Sequence, residues 1–346
     1  MARRLLSGLA LWSTLTALAA CDMATAPLAP PPAVPRPDRP APVVPSAESQ
    51  ALTERYARVE ADLLTRGLLR TDGGGADAPF DADILARNFN RIALYDEFVP
   101  VSGRLVARET SSHLRRWDAP VRIGLIFGAS VPAWVQARDR ATVDALADRL
   151  RTASGHDIRT TPDDGNLTVF VVNEDERRAL APHLKDLVPG ITSDVLRAVT
   201  DMPPTTFCLI IAFSADAEPH VYRRAIGIIR AEHPPLLRKS CFHEEITQGL
   251  GLANDSPDVR PSIFNDDEEF ALLTDQDLLM LTILYDRRLI PGMTAAQAAP
   301  IVRVIAYELR PDPEPISRIS AEDHERTAFA ADLVQEPAYV QPASDR

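Results

Sequence analysis

Residues 241–255 read CFHEEITQGLGLAND, which places one histidine, two glutamates, a glutamine, an asparagine and an aspartate along a single helix length. Ser240 is a suitable N-cap for this helix, and Gly251 is suited to a left-handed turn at its end. A helix turns by about 100° per residue, so this one has two unlike sides. The apolar side holds Phe242, Ile246 and Leu250, and the opposite side holds Cys241, Glu244, Glu245 and Gln248. The spacing predicts carboxylates facing a partly enclosed space, with a solvated acidic face as the alternative.

The same stretch resembles the zinc-binding helix of the metzincin proteases, HExxHxxGxxH, in which three histidines hold zinc and the glutamate is the base. With Glu244 as the first position, Glu245 aligns with the base and Gly251 with the turning glycine. The three histidine positions then hold Glu244, Gln248 and Asn254. Starting at His243 instead puts Thr247 in the second ligand position, so that register fails.

The downstream sequence extends the resemblance. Residues 261–286, PSIFNDDEEFALLTDQDLLMLTILYD, are similar to the segment of metzincins that runs from the Met-turn into the last helix. Phe264 stands where the methionine of that turn is expected, and Thr274 is a plausible N-cap for the helix.

Five segments also resemble a bacterial family of unknown function, the domain numbered 2927. They are NFNRIALYDEF (88–98), LRRWDAPVRIGLIFG (114–128), RLRTASGHDI (149–158), CFHEEITQGLGLANDSPDVRPSIFND (241–266) and LYDRRLIPGM (284–293). The likeness covers about residues 80–300. It implies a metzincin-like domain of exported proteins, and it carries no established activity.

The substitutions change the expected chemistry of the site. Zinc prefers cysteine, histidine and carboxylate ligands, and the amide oxygens of Gln248 and Asn254 are poor donors for it. An all-oxygen set from Glu244, Gln248 and Asn254 suits calcium, magnesium or manganese better. A glutamate base without zinc-activated water contributes too little for amide cleavage. We therefore expect no zinc and no zinc protease; a non-zinc divalent cation is the remaining cofactor candidate.

Three functional hypotheses follow. In the first, a non-catalytic module binds an envelope protein or a peptide in the old substrate cleft. The expected cleft residues are Glu244, Gln248, Asn254, Asp255 and Phe264. In the second, a hydrolase uses a non-zinc metal or Glu244 and Glu245 as an acid–base pair, with Glu245 catalytic. In the third, these polar residues only form a hydrogen-bond network, and the function lies elsewhere.

Two weaker patterns involve residue types that can bind metal ions, and both have an ordinary structural explanation. Asp255, Asn265, Asp266 and Asp267 could gather around a calcium ion, although a loop rich in Asp and Asn is more often a turn. The other histidines are scattered, and none pairs at ligand spacing: His113, His156, His183, His220, His233 and His324.

The N-terminus predicts export. Residues 1–20 combine Arg3 and Arg4 with a short apolar run, as a secretory signal peptide does. The sequence LAAC that ends at Cys21 resembles the bacterial lipobox, which implies a lipid on Cys21 and anchoring that faces the periplasm. Residues 22–45 contain nine prolines and favour an extended tether.

The net charge argues against one class of partner, and the cysteine count predicts a disulfide. Residues 1–20 hold two arginines and no acid, so the formal charge goes from −12 to −14 when they are removed. This balance argues against nucleic acid as a partner. Cys208 and Cys241 remain in the mature chain, and an even pair in an exported protein is most simply a disulfide.

The pattern of elements predicts an α+β fold, and the resemblance implies a metzincin-like domain with a mixed twisted sheet, an active-site-type helix and a C-terminal helix. Predicted strands are 121–128, 166–173 and 208–214, a predicted helix runs from 138 to 155, and residues 225–232 suit either a strand or a short helix. The predicted organisation is a signal peptide (1–20), a tether (21–45), an amphipathic helix (46–72), the metzincin-like domain (80–312) and a polar tail (313–346).

Overall fold

The computed structural model describes residues 44–101 and 104–311, which belong to one compact unit. The predicted signal peptide, the lipidation site Cys21, all but the last two residues of the tether and the predicted tail lie outside the described residues. No helix in the described ranges is long and apolar enough to cross a membrane.

The described chain is a mixture of helices and strands, as the α+β prediction required. The helices are α1 (Ala47–Thr65), α2 (Ala82–Ala93), α3 (Ala133–Ser154), α4 (Glu174–Arg178), α5 (Ala181–Leu187), α6 (Ser193–Thr200), α7 (Pro235–Gln248), α8 (Asp275–Leu284) and α9 (Ala295–Leu309). The strands are β1 (Tyr95–Val101), β2 (Arg104–Ser111), β3 (Arg116–Trp117), β4 (Val121–Phe127), β5 (Ile158–Thr161), β6 (Leu167–Val172), β7 (Cys208–Ala215) and β8 (Glu218–Arg230).

Six of these strands form one mostly parallel sheet. Its path is β3-β8-β6-β4-β5, and β7 pairs antiparallel with β8. Strands β1 and β2 form a separate antiparallel pair. The mixed sheet agrees with the predicted fold class.

The central strand β6 shows why the sheet is covered on both faces. Its sequence LTVFVV is apolar at nearly every position, and all six residues are buried. Val169 and Val171 pack in the large core, whereas Phe170 and Val172 pack in a second core. A strand buried on both faces loses the alternation of polar and apolar residues.

Two predicted boundaries need correction, and one segment left open is resolved. The helix expected at 46–72 ends at Thr65, and Gly67 follows with φ +77°. The ambiguous stretch 225–232 is mostly strand, because β8 pairs with β6 as far as Arg230 and with β7 as far as Ile229. Helix α7 begins at Pro235 rather than after Ser240, which lies buried inside it. Proline suits the first helical position because the amide hydrogen it lacks has no acceptor there.

Candidate functional site

Helix α7 has the two sides that its sequence predicts. Phe242, Ile246 and Leu250 are fully buried in the large core. Glu244, Glu245 and Gln248 line a cleft on the opposite side. Helical periodicity therefore separates the residues that fix α7 in the core from the polar residues that the cleft presents.

The cleft lies between β7 and α7 and has a volume of about 520 Å³. Its first wall is the chain from Thr205 to Ala212, which contains most of β7. Its second wall is the polar side of α7 with Gly249. The remaining lining comes from the loop after α7 and from a group near β1 and β3, namely Ala253, Asp255, Ile263, Asn265, Asp266, Glu268, Asp96, Arg115 and Tyr222.

A disulfide joins the two main walls. Cys208 at the start of β7 is bonded to Cys241 in α7, across 33 residues of sequence, so the predicted pair is confirmed. Cys208 lines the cleft, whereas Cys241 is buried with its sulfur 3.7 Å from Nδ1 of His233. The bond therefore fixes the strand wall against the helix wall.

Close packing at the end of α7 brings the walls together. A Cβ atom on Gly249 would lie 2.7 Å from Cδ1 of Ile210, so the glycine lets the Ile210 side chain of β7 pack directly against the end of α7. The backbone oxygen of Gly249 also accepts a hydrogen bond from Nε1 of Trp117 at 2.8 Å. Gly249 therefore packs against the β7 wall of the cleft and is hydrogen-bonded to the core residue Trp117.

The structure corrects the predicted third position of the ligand set. Asn254 is buried, does not line the cleft, and donates its side-chain amide to the backbone oxygen of Arg91 at 3.0 Å. The next residue, Asp255, lines the cleft and accepts a hydrogen bond from Nε2 of Gln248 at 2.8 Å. The backbone after Gly251 therefore brings the carboxylate at 255, rather than the amide at 254, to Gln248.

Phe264 also differs from its predicted place. Its side chain is fully buried in the large core and does not line the cleft. Its backbone oxygen accepts a hydrogen bond from the amide of Ser256 at 2.9 Å. Its neighbours Ile263 and Asn265 line the cleft instead, so Phe264 anchors this loop in the large core.

A buried carboxylate fixes this loop to α8. Asp277 accepts hydrogen bonds from the backbone amides of Ile263 at 3.0 Å and Thr274 at 2.8 Å, and from the hydroxyl of Ser262. Thr274 is the N-cap of α8, as its sequence predicts. Burial raises the pKa of Asp277 to about 6.

The loop 265–268 is a turn held by its own side chains. Asn265 donates to the backbone oxygen of Val259 at 3.0 Å and accepts from the amide of Asp267 at 3.1 Å. Asp255, Asn265 and Asp266 line the cleft, whereas Asp267 does not. In the described ranges, no group of three or more His, Cys, Asp or Glu side chains is arranged to hold a metal ion.

Two features of the cleft escaped the sequence reasoning. Arg115 forms an ion pair with Asp96 at the cleft surface, and neither residue has a local sequence signal. Glu268 is partly buried, and burial together with Asp267 and Asp266 raises its pKa to about 7. The acidic run NDDEE was the signal for Glu268, but sequence could not show that it reaches the cleft.

His243 does not line the cleft. It is buried, and its Nδ1 accepts a hydrogen bond from the amide of Leu273 at 3.3 Å. Burial, with the charges of Arg149 and Lys239, lowers its pKa well below the ordinary value. The imidazole is therefore neutral at neutral pH and has a structural role.

Comparison with known proteins gives one match. A family model described as "Protein of unknown function (DUF2927)" matches residues 82–304, which includes α7 and every residue that lines the cleft. No curated protein and no solved structure matches the chain. The description of the matched family states no activity.

Proposed function

This chain belongs to the DUF2927 family of unknown function, and we propose that it is a non-catalytic binding module whose cleft receives an extended peptide segment. The observation that carries the proposal is the unpaired edge of β7 along the cleft. Within residues 44–101 and 104–311, β7 pairs only with β8. A strand edge that borders a cleft is a template for an added strand.

The direction of the backbone groups supports this binding mode. The amide of Ala225 in β8 donates to Asn166 on the β6 side at 2.9 Å. Because successive residues of a strand point their backbone groups to opposite edges, Ile226 and Ile228 face β7. Their partners there are Ile211 and Leu209.

The intervening residues of β7 therefore face away from β8. Cys208, Ile210 and Ala212 present their amides and carbonyls at the unpaired edge, and all three line the cleft. An incoming peptide would bond to these groups, which otherwise need water as a partner. Main-chain bonds give such a site affinity, and the side chains of α7 give it specificity.

Two finer proposals accompany this function. A metzincin-like fold is supported by the mixed sheet, by α7 beneath its antiparallel strand, and by the turn at Gly251. Non-catalytic use is supported by the hydrogen bond from Gln248 to Asp255, because a metal site would need both side chains as ligands.

A hydrolase remains the second candidate, on one observation. Glu268 has a pKa raised to about 7, which suits proton exchange near neutral pH, and it lines the same cleft as Glu244 and Glu245. Mass spectrometry of the peptides below after incubation with the protein tests this. Cleavage that Glu245→Gln abolishes would establish the enzyme.

Envelope anchoring through Cys21 is likewise proposed, on the LAAC sequence and the preceding apolar run. Cys21→Ser in the full chain should move the protein from the membrane fraction to the soluble fraction, because the lipid attachment atom is lost. Mass spectrometry of the wild-type chain should find acyl groups on Cys21. An unmodified Cys21 on the native protein would contradict this proposal.

Peptide binding is tested with three capped peptides in which valine alternates with lysine, glutamine or glutamate. We expect at least one to bind, measured by fluorescence anisotropy. Ala212→Pro should weaken that binding about three- to tenfold, because proline removes an amide from the unpaired edge and no bond to β8.

Ala212→Val is the matched control, since it adds similar bulk and keeps the amide hydrogen. Equal affinities of the proline and valine variants would contradict strand addition. Failure of all three peptides to bind would overturn the proposed function.

A further inference from the structure

The disulfide between the cleft walls has one accessible end and one buried end. Cys208 is partly exposed and lines the cleft, whereas Cys241 is buried in the large core. Thiol–disulfide exchange depends on access of a thiolate to one sulfur and on the stability of the thiolate or thiol that the other sulfur becomes. A thiolate that enters the cleft therefore meets the Cys208 end of the bond.

The buried end lies beside a histidine that is held in place. The sulfur of Cys241 is 3.7 Å from Nδ1 of His233. Two aromatic rings pack against this imidazole with their planes nearly perpendicular to it: the ring centroid of Tyr56 is 4.6 Å away and that of Phe207 is 6.0 Å away. The hydroxyl of Tyr56 donates to the backbone oxygen of Pro204 at 3.0 Å. These contacts fix the imidazole next to the disulfide.

The imidazole of His233 is poorly hydrogen-bonded while the disulfide is intact. Its Nε2 is buried and has no hydrogen-bond partner among the described residues. Its Nδ1 faces a disulfide sulfur, which has no hydrogen to donate and is only a weak acceptor. Burial, with the charges of Arg238 and Arg230, lowers the pKa of His233 well below its ordinary value, so the ring is neutral and one nitrogen can accept. A free thiol at Cys241 is the better partner, because its S–H can donate to Nδ1.

We propose that Cys208–Cys241 is a site of thiol–disulfide exchange, at which a dithiol that enters the cleft reduces the bond in the folded protein and His233 accepts a hydrogen bond from the released Cys241 thiol. The histidine thereby stabilises the reduced state, in which its ring gains the partner that the disulfide does not provide. The consequence for regulation rests on the proposed function: reduction releases β7 from α7 and weakens peptide binding.

The exchange balances as two displacements. A thiolate of the dithiol attacks the sulfur of Cys208, a bond between these two sulfurs forms, and the Cys208–Cys241 bond breaks with its electron pair on Cys241. The second thiolate of the dithiol then attacks the dithiol sulfur of this mixed disulfide, closes a disulfide within the dithiol, and releases Cys208. The two cysteine sulfurs take up the two protons that the dithiol lost. The dithiol is oxidised by two electrons, and the cysteine pair is reduced by two.

Reduction of the wild-type protein by dithiothreitol tests the proposal without any substitution. Alkylation with iodoacetamide followed by mass spectrometry should find both Cys208 and Cys241 modified while circular dichroism still shows the folded protein. Hydrogen exchange of the β7 amides should become at least about threefold faster on reduction, because the strand is no longer tied to α7. A disulfide that is reduced only when the protein unfolds would overturn the proposal.

Two histidine variants test the contact with Cys241. His233→Leu should lower the equilibrium constant for reduction by dithiothreitol about tenfold, since the thiol of Cys241 loses its acceptor. His243→Leu is the matched control, because His243 is also buried but its Nδ1 accepts from the amide of Leu273. It should leave the constant unchanged. Unfolding curves of both variants measure the loss of stability separately, and equal shifts of the constant would show that the His233 contact is unimportant.

The inference and the proposed function fail in different ways. If the folded wild type is reduced and His233→Leu resists reduction, the exchange site stands even when none of the three valine peptides binds. If a peptide binds and the disulfide resists dithiothreitol until the protein unfolds, strand addition stands and the exchange site is wrong. If reduction leaves both hydrogen exchange of β7 and peptide binding unchanged, the bond does not control the cleft and the regulation is wrong.

Discussion

Replacement of Gly251 by alanine is expected to destabilise the folded protein by about 3–5 kcal/mol. Gly251 has φ +124°, a backbone conformation that residues with a side chain rarely adopt. A Cβ atom there would lie 2.3 Å from the backbone oxygen of Arg115 and 3.1 Å from a methyl group of Leu284. Because the nearest atom belongs to the backbone, a side-chain rotation cannot relieve the clash.

Gly190 provides the control for this prediction. It also has a positive φ, +86°, but a Cβ atom there would meet nothing within 4 Å. Gly190→Ala should therefore cost only the conformational penalty, about 1 kcal/mol. Denaturant unfolding followed by circular dichroism measures both variants, and equal losses would show that contact with Arg115 is unimportant.

Loss of the disulfide is expected to have the second-largest effect. The Cys208→Ser/Cys241→Ala double variant should be about 3–4 kcal/mol less stable than the wild type, since the bond closes a loop across 33 residues. Alanine is chosen for the buried Cys241, where a hydroxyl would need a hydrogen-bond partner. Serine suits the partly exposed Cys208.

The same variant tests the role of the bond in the cleft. Because Cys208–Cys241 joins β7 to α7, its loss should also weaken peptide binding. Reduction of the wild-type protein with a dithiol should reproduce both losses, and the double variant should not respond to the reductant. An unchanged unfolding midpoint in the double variant would contradict the predicted stabilisation.

Much of α7 could be predicted from its sequence. The buried and cleft-facing sides follow from residue spacing, and the cap at Thr274 follows from residue type. The predicted start of α7 was wrong: Ser240 is a good N-cap by residue type, but the helix already begins at Pro235, with Pro234 as its N-cap.

The third position of the site shows the limit of a linear register. Counting along the metzincin pattern selected Asn254, but the turn at Gly251 brings Asp255 into the cleft. Asn254 is held instead by the backbone of Arg91, which is distant in sequence. A pattern counts residues, whereas the direction of a side chain depends on the backbone path and on its neighbours in space.

Residue types and their spacing were enough to predict the segments that form β4, β6 and β7, the two sides of α7, and the cysteine pair. These predictions depend on runs of apolar residues in strands, on helical spacing and on the number of cysteines. All three can be read from neighbouring residues or from the composition. The three-dimensional structure was needed to show that β8 is a strand, that one edge of β7 has no pairing strand within residues 44–101 and 104–311, and that Asp96, Arg115 and Glu268 line the same cleft as α7. Pairing and burial depend on contacts between residues far apart in the chain, and no local pattern records them.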